Sequence, residues 1–199
     1  YGFGTENGDA AGNYGYMQRA AWNGGQPVPS LIVGQSGDAA YRYGAYYDGT
    51  ARFPLAEYCT HGFVNLGVND LGSTFTVTQI QGWLKYVWRQ LKMQGMHVTQ
   101  ALITPKTTSS DSWATEANQT HATYFDVGGR RDQLNAWIRT QVGSELLDQV
   151  FDPNPAVESA VNPGKWLASK TADGLHPNAT GAAAIATLMI SDYIASLSV

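Results

Sequence analysis

Short apolar runs alternate along this chain with stretches whose hydrophobic residues recur at helical spacing. Leu31-Ile32-Val33, Gly62-Phe63-Val64-Asn65-Leu66 and the run 98–103 are short and rich in β-formers, so each reads as a buried strand. Between the second and third, residues 78–94 place Ile80, Trp83, Leu84, Val87 and Leu91 on one face of a helix. Thr78 and Gln81 offer that helix a capping box, and Gly95 offers it a stop. A helix is predicted over 130–142 from Leu134, Trp137 and Ile138, then a strand within 146–151. The final helix is predicted over about 179–197, capped by Asn178 after Pro177, with Ile185, Leu188, Met189 and Tyr193 facing inward. A shorter helical stretch spans 14–23. The spans 106–129 and 152–175 read as long loops, which in a compact domain are usually functional. Strands alternating with helices predict an α/β fold, and with no repeat or linker residues 1–199 read as a single domain.

Composition narrows the function. Charged residues make up 14% of the 199, against about 25% in an average chain, and the formal net charge is −4. A nucleic-acid binder needs clustered positive charge, so no nucleic-acid partner is expected. The single cysteine, Cys59, excludes a disulfide framework within the chain and leaves the cellular compartment open. The longest mainly apolar run, 182–190, falls short of the ~20 residues of a membrane-spanning helix, so no span is expected.

Three motifs carry candidate chemistry. In Asp173-Gly174-Leu175-His176-Pro177-Asn178, an aspartate three residues ahead of a histidine can reach the imidazole Nδ1 and leave Nε2 to take a proton from a nucleophile. A helix-entry turn, with Asp173 accepting backbone N–H groups, explains the same residues without catalysis. Gly67-Val68-Asn69-Asp70 follows the second strand, where an α/β sheet binds ligands and the Asn69 amide can donate to a developing oxyanion. An Asn-Asp turn is the alternative there. Gly34-Gln35-Ser36-Gly37-Asp38 follows the first predicted strand, and the Gly37 N–H is a second oxyanion donor or part of a tight turn. Ser36 is weak as a nucleophile, because Asp38 stands where the nucleophile-elbow motif requires a second glycine.

Taken in order, Gly37, then Gly67-Val68-Asn69-Asp70, then Asp173 to His176 resemble the SGNH/GDSL hydrolase family over nearly the whole chain. The resemblance implies a flavodoxin-like, three-layer α/β/α fold with a mainly parallel sheet. It implies serine-dependent hydrolysis of acyl esters, with Asp173 and His176 catalytic, Gly37 and Asn69 in the oxyanion hole, and neither metal nor organic cofactor. The family's Gly-Asp-Ser block does not occur in these residues. Aligning Tyr1-Gly2 with the x-Gly that follows this block puts the serine three positions before Tyr1, so an N-terminal segment carrying the nucleophile is expected. The expected substrate is a small acyl ester such as an acetylated carbohydrate. Alternatives are a lipase or lysophospholipase, and a catalytically inactive carbohydrate-binding or structural module.

Among the aromatics in or beside the long loops (Trp113, Tyr124, Trp166), Trp166 is the candidate substrate platform, ten residues before His176. The glycines near the N-terminus lack the third glycine and preceding strand of a dinucleotide fingerprint. His61, His97 and His121 lack zinc-site spacing, and Cys59 reads as a buried thiol.

Overall fold

The computed structural model describes residues 15–23, 28, 30–31, 33–35, 37–46 and 50–197. Ile32, Ser36, Tyr14 and the Tyr1-Gly2 alignment therefore lie outside the described residues, as does the Trp22 side chain. The chain divides into two compact units, one built on Leu31–Ile103 and Gly128–Val150, the other on Thr104–Val127 and Phe151–Val199 with residues 15–30.

In the first unit, strand β1 (His61–Val64) runs parallel to β2 (His97–Ala101), with His61 opposite His97 and Val64 opposite Gln100. Strand β5 (Gln149–Phe151), which begins in this unit, lies on the other side of β2. Asp148 fixes that edge: its carboxylate accepts from the Val98 N–H at 2.6 Å and from Lys92 Nζ at 2.9 Å. Burial alone would push this carboxyl up, but the Val98 N–H and the Lys92 charge hold it below the usual range.

Helix α4 (Val77–Met93) connects β1 to β2 and packs Ile80, Leu84, Val87, Trp88 and Leu91 inward. Its cap is Thr76, which with Gln79 forms the full capping box, so the predicted Thr78 and Gln81 pair lies two residues too far along. Gly95 does end the helix, at φ +78°, with the Gly95 and Met96 N–H groups bonded back to Lys92 and Leu91. That is the paired bond pattern for which a left-handed glycine suits a helix end. Trp88, rather than Trp83, is the fully buried tryptophan of this helix: its indole donates to Gln100 Oε1 at 3.0 Å and its ring stacks on Trp137. Trp83 stays half-buried, in edge contact with Phe75 and Tyr41. Helix α5 (Arg130–Thr140) brings Asn135 to the chain just past β2, where its amide accepts from the Ile103 N–H and donates to the Ile103 carbonyl.

The strand predicted over 31–33 does not form at Leu31 or Val33. The Val33 carbonyl instead accepts from Arg52 at 2.8 Å and the Gln35 N–H is taken by the Asp38 carboxylate, so groups that a ladder would use are occupied. Leu31 is 48% exposed, unlike a strand buried on both faces. Cys59 is half-buried rather than buried.

In the second unit the two long loops carry structure of their own. Residues 106–129 hold an antiparallel hairpin of β3 (Thr107–Ser109) and β4 (Gln119–His121), and 152–175 hold the one-turn helix α6 (Asn154–Val157). Helix α7 (Ala179–Asp192) is capped by Asn178, as the sequence predicts, and buries Gly181, Ala182, Ile185, Ala186 and Met189. It packs against α1 (Tyr16–Asn23), which contributes Met17, Ala20 and Ala21. With the 3₁₀ turn Ile194–Leu197, the stretch Ala179–Leu197 is long and apolar enough to cross a membrane by length and composition alone. Counting only unbroken apolar runs overlooks this, because single polar residues punctuate the helix.

The position of the α4 cap is testable. Thr76→Ala should cost about 1 kcal/mol in urea unfolding, whereas Thr78→Ala, one turn position inside the helix, should change stability by less than about 0.5 kcal/mol. The opposite ranking would return the cap to Thr78.

Candidate active site

Asp173, Gly174, Leu175 and His176 form a tight turn leading into α7. His176 Nδ1 lies 2.7 Å from Asp173 Oδ2. An ionised carboxylate only accepts, so Nδ1 carries a proton, and in the neutral ring Nε2 holds the lone pair. The other carboxylate oxygen, Oδ1, accepts from the N–H groups of Leu175 and His176, each at 2.8 Å. Partial burial pushes the Asp173 carboxyl up, but the His176 ring and these two N–H donors outweigh it and hold its pKa below the usual range. The carboxylate thus stays ionised beside the imidazole. Both side chains are more than half exposed, so Nε2 is open to a reactant.

The turn is clamped from inside. Thr171 Oγ1 donates to the His176 carbonyl at 2.7 Å and accepts from the Gly174 N–H at 2.9 Å. The Gly174 carbonyl accepts from the Thr107 N–H at 2.9 Å and from the Trp166 indole at 3.0 Å. Gly174 sits at φ +74°, and a Cβ there would run into the Thr107 carbonyl and reach 2.6 Å from the Trp113 ring. Only glycine satisfies both constraints. Behind the turn, Trp113 donates to Thr107 Oγ1, Thr107 Oγ1 donates to Gln119 Oε1, and Gln119 bonds both backbone groups of Trp166.

Trp166 is therefore misassigned by sequence as a substrate platform. It is fully buried, and its indole is spent on the Gly174 carbonyl. The half-exposed ring against the turn belongs to Trp113, whose backbone is held at φ +59°.

In the first unit the structure brings Gly37 and Asn69 to one turn. The Asp38 N–H bonds the Gln35 carbonyl, and Gly37, at φ +76°, occupies the left-handed position of that turn. Asn69 Nδ2 donates to the Asp38 carbonyl at 2.8 Å, which ties the exposed amide beside Gly37. Asn69 starts from the short helix α3 (Val68–Leu71), entered through Gly67 at φ +120°, where a Cβ would come within 2.6 Å of Ile103 Cδ1. Asp70, fully buried, accepts from the Ala40 and Tyr41 N–H groups at the start of α2 (Ala40–Gly44). Burial pushes the Asp70 carboxyl up, against the pull of those donors.

Asp38 was missed by sequence reading as the anchor of this turn. Its carboxylate is paired with Arg52, bonded by the Tyr43 hydroxyl at 3.1 Å and by the Gln35 N–H at 2.9 Å. Burial pushes the carboxyl up, but the Arg52 guanidinium and the other donors more than reverse this. Nothing local announces the pair, because Arg52 lies in a separate 3₁₀ stretch, Thr50–Tyr58. Among the described residues no three His, Cys, Asp or Glu side chains converge on a metal-holding arrangement.

A family model for the GDSL-like Lipase/Acylhydrolase family matches residues 1–184. No curated protein matches the chain in sequence. A G-D-S-L family protein from Desulfitobacterium hafniense DCB-2 is structurally similar, with TM-score 0.68 and 14% identity over 94% of this chain and 91% of that one. A GDSL-like lipase from Bacteroides thetaiotaomicron VPI-5482 matches with TM-score 0.60 and 17% identity over 82% and 75%. An acetyl xylan esterase matches with TM-score 0.58 and 17% identity over 90% of each chain. The fold is thus the α/β fold of SGNH/GDSL hydrolases, with its mainly parallel sheet.

The Asp38–Arg52 pair gives a pH-dependent prediction. Asp38 has its pKa lowered on folding, so its stabilisation is complete above the ordinary value of 3.8 and is lost as pH falls through the lower folded value. Both side chains are at least 85% buried, and Arg52→Gln should cost about 3–5 kcal/mol near neutral pH. The cost should shrink as pH falls below the ordinary value of 3.8 and the carboxyl protonates, in urea unfolding across pH. A cost independent of pH would mean that Arg52 acts through packing alone.

Proposed function

Since the chain belongs to the GDSL-like lipase/acylhydrolase family, we propose that it is a serine carboxyl-ester hydrolase acting on small acyl esters, such as acetyl groups on a carbohydrate. The observation that carries this reading is the Asp173–His176 pair, with Nδ1 on the carboxylate at 2.7 Å and the imidazole more than half exposed. In this reading the nucleophile is the serine of a Gly-Asp-Ser block preceding Tyr1. Its hydroxyl attacks the ester carbonyl while His176 Nε2 takes the proton, and Asp173 stabilises the imidazolium that forms. The oxyanion is held by the Gly37 N–H, an Asn69 amide hydrogen and the serine's own N–H. Asn69 uses one amide hydrogen on the Asp38 carbonyl, which fixes the direction of the second.

His176 then returns its proton to the departing alcohol, leaving an acyl-serine. It next deprotonates a water that attacks this ester, then hands that proton to the serine oxygen as the acid leaves. The half-exposed Trp113 ring beside the turn suits the apolar face of a sugar, and the low charge of the chain suits an uncharged substrate. An acetyl xylan esterase is among the proteins of similar fold.

The test uses the protein with its N-terminal segment and p-nitrophenyl acetate as substrate. Asn69→Ala should lower kcat by about 10²–10³, the usual loss of one oxyanion donor, and His176→Ala by at least as much. A fluorophosphonate probe should label the upstream serine and no residue of the 199. Unchanged hydrolysis in His176→Ala would overturn the mechanism. Saturable glycan binding with neither labelling nor turnover would make the protein an inactive binding module instead.

A further inference from the structure

We propose that Thr171 is a positioning residue for the Asp173–His176 pair, its hydroxyl bridging the two ends of the turn that presents them; the inference rests on the esterase reading above. Thr171 is 2% exposed, yet it spends its hydroxyl on neither the sheet nor a helix. The one proton goes to the His176 carbonyl, 2.7 Å away, and the lone pairs take the Gly174 N–H at 2.9 Å. The Asp173 N–H and Oδ1 lie farther off, each at 3.4 Å from the same oxygen. A single buried atom thus touches the backbone of residues 173, 174 and 176.

The pair itself cannot supply this rigidity. Both its side chains are more than half exposed, and water screens an exposed ion pair until it contributes too little to hold a backbone against thermal motion. The carboxylate is aimed by the Leu175 and His176 N–H groups, and the latter belongs to the residue whose carbonyl Thr171 holds. Removing the hydroxyl takes the partner from the buried Gly174 N–H and one donor from the His176 carbonyl, which loosens the turn between residues 174 and 176. His176 then loses the alignment of Nδ1 on Asp173, while Gly37 and Asn69 keep their own anchors at Asp38. The expected signature is a loss in kcat with little change in KM.

Two variants separate the hydroxyl from the methyl. Thr171→Val keeps the shape and removes the hydroxyl; Thr171→Ser keeps the hydroxyl. In the protein with its N-terminal segment, Thr171→Val should lower kcat for p-nitrophenyl acetate about 10- to 100-fold, the scale of an ångström of misplacement, with KM within about twofold. Thr171→Ser should stay within about threefold of the parent. A second readout needs no catalysis: the hydrogen-bonded His176 Nδ1–H resonance of the same protein should be visible by proton NMR, lost in Thr171→Val and kept in Thr171→Ser. A folded Thr171→Val that keeps both kcat and the resonance would overturn the proposal. So would loss of near-UV circular dichroism in both Thr171→Val and Thr171→Ala, since the hydroxyl would then serve the fold as a whole. If His176→Ala retains activity while the resonance behaves as expected, the esterase reading fails and the positioning of the pair stands.

Discussion

The geometry of the Asp-x-x-His turn depends on how one buried carbonyl is satisfied. The Gly174 oxygen points inward and accepts from the Thr107 N–H and the Trp166 indole. A buried carbonyl without partners costs on the order of 1–3 kcal/mol, so both donors must be delivered to one point. Trp166 is held by Gln119, Gln119 by Thr107, and Thr107 lies on the hairpin strand that donates directly to the turn. The hairpin, the buried tryptophan and the glycine form one closed set of bonds. The exposed side chains of Asp173 and His176 inherit their precision from it.

The first unit solves a parallel problem with a charge. The turn that holds Gly37 is anchored by the Asp38 carboxylate, which neutralises Arg52 and takes the Tyr43 hydroxyl and the Gln35 N–H. Its carbonyl meanwhile fixes the Asn69 amide. The four residues of Gly67-Val68-Asn69-Asp70 take different structural parts: Gly67 permits a left-handed backbone path, Asp70 ties down the start of α2, and Asn69 lies exposed between them. The capping done by Asp70 and the backbone bonds accepted by Asp173 are what place Asn69 and His176.

Which features were legible in the sequence follows from how local their causes are. Helix α4 and the Asn178 cap of α7 are written in residues three or four apart, and they emerge within a residue or two of their predicted places. The α4 cap slipped by two because Thr76 and Thr78 both have a glutamine three residues on, and only the backbone's extended conformation at Thr76 decides between them. The expected strand fails at Val33 for a distant reason, the Arg52 side chain that takes the Val33 carbonyl. The hairpin inside 106–129 is hidden because its strands are three residues each and mostly polar, held by the Thr107–Gln119 bond rather than by an apolar face.

Trp166 and Trp113 show the same division at single residues. Both lie near the histidine along the chain or in space, and both are large, flat and amphipathic. Sequence proximity favoured Trp166, yet an indole N–H near a turn whose carbonyl is buried is worth more as a donor than its ring is as a platform. Trp113 also spends its N–H internally, on Thr107, but its ring rests on Gly174 from the side that stays partly exposed. Keeping it there requires left-handed backbone at Ser112, Trp113 and Ser169, a strain of the order of 1–3 kcal/mol at each residue, with the Ser169 N–H bonded to the Trp113 carbonyl. A fold holds several non-glycine residues in that region only where the surrounding bonds over-determine them. Here those bonds converge on the turn that carries Asp173 and His176.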